Sequence, residues 1–242
     1  MTNRTDSAPV ARPGQAHGFA ASKNGLILAI ETGSRSCSVA VYAGPRDMRA
    51  YEHENTDHGH ATMLLPMIER ARLKAGCTYA DLGRIAVAVG PGSFTGLRVG
   101  IAAAQGIGLA AGIPVIGISS FLTVVSGTER ERDGRRVFAL LDSRREEPFL
   151  AEIDEQLQFI RPPSVVSPDE LDAILAPARP LILAGDAPAM GRYSTRGGIR
   201  LIQNAPSALF VALLASDPER RFDLPPMPVY VRAPDVTMPK TA

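Results

Sequence analysis

Three short turns carry the residues best suited to chemistry. Glu31-Thr32-Gly33-Ser34 follows the apolar run Leu26 to Ile30, Gly90-Pro91-Gly92-Ser93 follows Ile85 to Val89, and Gly185-Asp186 follows Leu181 to Ala184. Each comes directly after a buried-strand pattern, the place where α/β folds commonly present ligands. A nucleotide-like cleft would draw on Glu31, Thr32, Gly33, Ser34, Gly90, Gly92, Ser93, Asp142, Gly185 and Asp186. In such a cleft the carboxylates of Glu31 and Asp142 would handle magnesium. The glycine turn, leading into a helix, would offer backbone N–H groups to an anion. No lysine follows the glycines, so this is not the GxxxxGK[ST] phosphate loop. The segment GPGSFTG suits a tight turn with close helix packing equally well, and both readings stay open.

His53, His58 and His60 lie among carboxylates, which raises the question of a metal. His58 and His60 are two residues apart at a helix start and should diverge, and neither HExxH nor HxxxH occurs. The expectation is no metal site. Nothing in the sequence singles out a Ser/His/Asp or Cys/His constellation, and no catalytic residue is assigned. The two cysteines, Cys37 and Cys77, are too few for a disulfide scaffold and suit a reducing cytoplasm.

The elements that must position these turns can be read from hydrophobic spacing. Leu26 to Ile30, Cys37 to Tyr42 and Arg49 to His53 read as strands, followed by a helix over 58–75. Its core stripe is Ala61, Leu64, Leu65, Ile68 and Ala71. Met63 and Met67 widen that band beyond what one face needs, and Arg70 and Lys74 continue the line. Ile85 to Val89, a helix over 93–112 and Pro114 to Ile118 then form a β-turn-α-β unit.

That second helix is unusual. Gly96, Gly100, Ala104, Gly108 and Gly112 recur every fourth residue, so one face is nearly bare backbone. Four interior glycines cost roughly 3–4 kcal/mol relative to alanine, and a second backbone packed closely on the bare face is the natural compensation. That neighbour is either part of the same fold or a partner subunit. Val99 to Ile118 has no charge and the length of a bilayer span, but its glycines, Gln105 and Pro114 make it a poor one. The β-turn-α-β punctuation accounts for it better.

After residue 118 the plan repeats faintly. Val137 to Leu141 ends in Asp142, Phe149 to Ile153 returns, Ser167-Pro168-Asp169-Glu170 is a capping box, and Ser207 to Ala215 is a helix. The expected organisation is α/β: an extension over 1–25 without stable structure, a lobe over 26–118 and a smaller lobe over 119–242. A net charge of +1 gives no whole-molecule reason to expect nucleic-acid or membrane binding.

The stretches LAIETGSRSCSVAVY at 28–42, HGHATMLLPMIERA at 58–71 and IAVAVGPGSFTGLRVGIAAAQGIGLA at 85–110 resemble the TsaB (YeaZ) family. Weaker echoes are ALLDSRREEPFLAEI at 139–153, LAGDAPA at 183–189 and PVYVRAPD at 228–235. The resemblance implies the actin-like ATPase (ribonuclease H-like) fold, with two related lobes and the second reduced. It also implies a non-catalytic, cytoplasmic subunit that pairs with a TsaD-like catalytic subunit and a TsaE-like ATPase, or with itself when alone. That complex moves a threonylcarbamoyl group from threonylcarbamoyl-AMP onto the adenosine beside the anticodon of ANN-decoding tRNAs. ATP, magnesium and tRNA are then met by the complex rather than by this chain alone. In such a family the two helices form the partner face, which would place Met63, Met67, Arg70, Lys74, Gly96, Gly100, Ala104 and Gly108 in the interface. One departure is Glu31, where related phosphotransferases carry Asp. The rival reading is a small-molecule kinase of the same fold.

Overall fold

The computed structural model describes residues 25–44, 47–128, 131–176, 180–217 and 223–232. The extension expected over 1–25 lies outside them, apart from Gly25. Strands β1 (Leu26–Glu31), β2 (Ser36–Tyr42) and β3 (Met48–Asn55) form an antiparallel meander, and helix α1 (His60–Ala75) follows. Strand β4 (Leu82–Gly90), helix α2 (Phe94–Ala111) and strand β5 (Val115–Ser119) complete the first sheet, whose order is β3-β2-β1-β4-β5. β4 runs parallel to β1, and β5 parallel to β4.

Helix α3 (Ser120–Val125) leads into the second sheet. Its strands are β6 (Arg136–Leu141), β7 (Phe149–Ile153), β8 (Phe159–Val165), β9 (Leu181–Gly185) and β10 (Ile199–Gln203), in the order β10-β9-β6-β7-β8. The pairings repeat those of the first sheet: β6-β7-β8 antiparallel, then β9 parallel to β6 and β10 parallel to β9. Between them stand the short helix α4 (Pro168–Ile174) and a 3₁₀ turn at Pro188–Tyr193, where the first lobe has two long helices. Ser167 and Glu170 cap α4 reciprocally, as their spacing predicts. This duplicated topology is the actin-like, ribonuclease H-like fold, with the second copy reduced.

The unbroken apolar run of β1 reflects cover on both faces. Leu28 and Ile30 pack with Leu64, Met67 and Ile68 of α1 and Leu97 of α2. Ile27 and Ala29 face the other way, into a layer holding Phe121 and Val124 of α3 and Val211 and Ala212 of α5 (Ala208–Ser216). Val137 and Ala139 of β6 and Ile182 of β9 enter the same layer from the second sheet. One core therefore spans both lobes, and the C-terminal helix α5 packs on β1, β2 and β4 of the first.

Candidate functional site

The turns after β1 and β4 meet backbone to backbone. Ser93 donates its N–H to the Gly33 carbonyl at 2.7 Å. A Cβ on Gly92 would lie 2.6 Å from that same carbonyl oxygen, and one on Gly96 only 2.0 Å from the Thr32 carbonyl oxygen. Glycine is required there because any side chain would push the two turns apart. Ser93 also caps α2, accepting from the Gly96 N–H at 3.3 Å. The tight-turn reading of GPGSFTG is the one this geometry favours.

Glu31, at the end of β1, is fully buried. One of its oxygens accepts from the Gly33 and Ser34 N–H groups at 2.6 and 3.0 Å, and the other from Ser34 Oγ at 2.7 Å. The carboxyl thus caps its own turn. Burial pushes its pKa up to about 7, against the lowering pull of the hydrogen bonds from Ser34 and Gly33.

The second lobe supplies the opposite wall. Asp186, after β9, accepts from the Asp142 N–H at 3.0 Å, and burial raises its carboxyl above the usual range. Asp142, after β6, accepts from the Arg144 N–H at 2.8 Å and from Arg35 Nε at 2.9 Å. Arg144 in turn reaches Asp57 at 2.6 Å and the Ser34 carbonyl at 3.0 Å, while Arg35 also meets Asp57 at 3.1 Å. Two arginines and two aspartates therefore stitch the lobes together across the cleft mouth. The cavity left between Gly33, Gly92, Asp142 and Asp186 is about 10 Å³, room for about one water.

Of the cleft residues expected from sequence, Gly33, Ser34, Gly92, Asp142 and Asp186 line this cavity, while Glu31, Thr32, Gly90, Ser93 and Gly185 stand behind or beside its wall. As the walls stand, Glu31 accepts three hydrogen bonds and Asp142 two from the chain's own donors, and the space between the walls is too small for a magnesium-nucleotide. Arg35 and Arg144, which make the clasp, were not singled out for the cleft in sequence; their charges gave no sign that they would cross it.

Of the eight expected interface residues, five are covered within the chain itself. Gly96, Gly100, Ala104 and Gly108 are buried in the first lobe itself. A Cβ at Gly100 would stand 2.3 Å from Thr32 Oγ1, and one at Gly108 2.4 Å from a Val115 methyl. The bare stripe packs against Ile30 of β1, the Thr32 turn that follows it and Val115 of β5, all in the same lobe. Met67 is likewise 1% exposed in the core of α1, while Leu65, expected in the core, is 55% exposed. Ala61 is exposed too, so the helix is rotated relative to its expected stripe. Arg70 and Lys74 both pair with Glu52 of β3, and Met63 is half-buried.

The faces that α1 and α2 turn outward are different ones. Leu65 and Leu73 (68% exposed) stand on α1, and Leu109 (88% exposed) stands on α2 with Ala102 and Gly106 at helical spacing. With Phe94 (43% exposed, stacked on Tyr230), these are the large apolar side chains that the two contacting helices leave exposed among the described residues.

The histidines do not assemble. His60 is buried with Nε2 3.2 Å from the Ser36 carbonyl, and His53 stacks beside Tyr51 on β3. Among the described residues no group of three or more His, Cys, Asp or Glu is placed to hold a metal ion. Both cysteines are buried and free, and burial raises the Cys37 thiol to about 11.

Residues 53–191 match the family model of TsaD, the tRNA N6-adenosine threonylcarbamoyltransferase. The tRNA threonylcarbamoyladenosine biosynthesis protein TsaB of Escherichia coli K12 is 39% identical over 127 residues, 52% of this chain and 54% of that protein. The TsaB protein of Haemophilus influenzae is 31% identical over 131 residues, 54% of this chain and 55% of its own length. The match thus spans about half the length of these curated relatives. YeaZ from Pseudomonas aeruginosa superimposes with a TM-score of 0.68 at 27% identity, covering 85% of this chain and 99% of that one.

Proposed function

The chain belongs to the TsaD family and, within it, to the TsaB (YeaZ) proteins of tRNA threonylcarbamoyladenosine biosynthesis, and on that premise we propose that it is a non-catalytic subunit of the modifying complex. Its work there is to pair with a TsaD-like catalytic subunit and to support a TsaE-like ATPase, in the cytoplasm. ATP, magnesium and tRNA are engaged at the level of that complex. The observation that carries the reading is the closed cleft: Arg35, Asp57, Asp142 and Arg144 occupy one another where a phosphotransferase would hold its substrate. A kinase of this fold would need Glu31 and Asp142 free to position a metal-nucleotide, and both are committed.

The partner face we assign is the outward side of α1 and α2, centred on Leu65, Leu73 and Leu109. Apolar side chains flanked by small residues let two helical surfaces approach closely and exclude water. The same face serves self-association when the chain is alone. Depletion of the protein should lower threonylcarbamoyladenosine in tRNA, measured by mass spectrometry of digested nucleosides. Unchanged levels in a depleted strain would refute the assignment.

A further inference from the structure

We infer that the segment Asp223 to Arg232 is a strap that fixes the separation of the two cleft walls. It begins on the free edge of the first sheet. Leu224 and Gly117 of β5 exchange antiparallel hydrogen bonds of 2.7 and 2.9 Å, which cover the edge at that point. It then runs beside α2, where Gln105 Nε2 donates to the Pro226 carbonyl at 2.9 Å. Tyr230 stacks on Phe94 with ring centroids 5.3 Å apart and accepts from Arg98 Nε at 3.1 Å.

Two contacts give the segment its role. Val229 donates its N–H to the carbonyl of Val89 at 2.8 Å, directly before the Gly90-Pro91-Gly92 turn that forms the first-lobe wall. Its own carbonyl backs Gly90 so closely that a Cβ there would lie 2.9 Å away. Three residues on, Arg232 pairs with Glu147, on the loop between β6 and β7 that carries Asp142 and Arg144. One short length of chain thus holds the first-lobe wall by its backbone and the second-lobe wall by a charge. The ion pairs of Arg35 and Arg144 close the cleft between the walls, and the strap braces it from outside. This inference stands independently of the proposed role in tRNA modification.

Hydrogen exchange by mass spectrometry on the full chain tests it. Arg232→Glu and Glu147→Arg should each speed exchange in peptides from both walls, 89–97 and 142–148, by about two- to five-fold, the range one exposed ion pair sustains. The double charge swap should return both walls toward wild type. Val229→Pro, which removes the strap's N–H at the first lobe, should loosen 142–148 in the second. An effect confined to the strap or to one wall would overturn the inference. So would unfolding of all three single variants, since the segment would then be ordinary core rather than a brace.

Discussion

Thr32 and Gly96 hold each other from both sides: Thr32 Oγ1 donates to the Gly96 carbonyl at 2.8 Å, while the Thr32 carbonyl oxygen sits where a Cβ on Gly96 would be. This contact turns the glycine stripe of α2 inward and ties the first turn of the cleft to the helix. It makes two glycines on one helix behave oppositely. At Gly100 an added Cβ would strike Thr32 Oγ1, whereas at Gly106 nothing lies within 4 Å. Gly100→Leu should therefore cost at least the roughly 1–3 kcal/mol of an overpacked core. Gly106→Leu should hold or gain stability, since leucine favours a helix over glycine by roughly 0.8–1 kcal/mol. Thermal melts of the two variants check this. Equal melting temperatures would contradict the inward stripe.

Glu31 gives a pH signature. Its folded pKa, about 7, lies above its ordinary value of 4.5. A raised carboxyl pKa means that its contribution to stability is fully present below 4.5 and is lost as pH rises to 7. Relative to Glu31→Gln, the wild type should thus lose roughly 3 kcal/mol between pH 4.5 and 7 and change little above that, at about 1.4 kcal/mol per unit. Denaturant midpoints for both proteins across that range test it. Parallel curves would show that the carboxyl is not buried as described.

The outward face predicts a separation of folding from assembly. Leu109→Glu places a charge at an exposed position, so its melting temperature should stay within the small range of surface substitutions. Sedimentation velocity should show weakened self-association and weakened pairing with the TsaD-like subunit. Wild-type assembly by this variant would move the interface elsewhere.

The closed cleft predicts weak nucleotide binding. Calorimetry with magnesium-ATP should give little or no heat for the isolated wild-type chain. A micromolar, magnesium-dependent site abolished by Glu31→Ala would overturn the non-catalytic reading.

Much of this architecture was legible in the sequence because fully covered strands read as unbroken apolar runs. β1, β4, β6 and β9 announce themselves in that way, each followed by its polar turn. β8 and β10 did not. Pro162 and Pro163 interrupt β8, and they are tolerated there because β8 is an edge strand that needs only one ladder. β10, at the opposite edge, is short and half-buried. The glycine stripe of α2 showed that something must pack closely, but small residues carry no sign of whose backbone arrives. Leu65 and Met67 exchanged their expected places for a related reason. Both suit core and interface alike, and only the docking of α1 on β2 and β3 decides which is buried. The cleft clasp was illegible because Arg35, Asp57 and Arg144 are far apart in the chain and ordinary in composition.

The most direct measurement is threonylcarbamoyladenosine content of tRNA in a strain whose only copy of this protein is a chosen variant. The partner-subunit account predicts that wild type and Asp142→Asn, which alters the cleft, both restore the modified nucleoside, while Leu109→Glu, which alters the outward face, does not. Loss of the nucleoside with Asp142→Asn and full restoration by Leu109→Glu would contradict it, and would return the chemistry to the cleft of this chain.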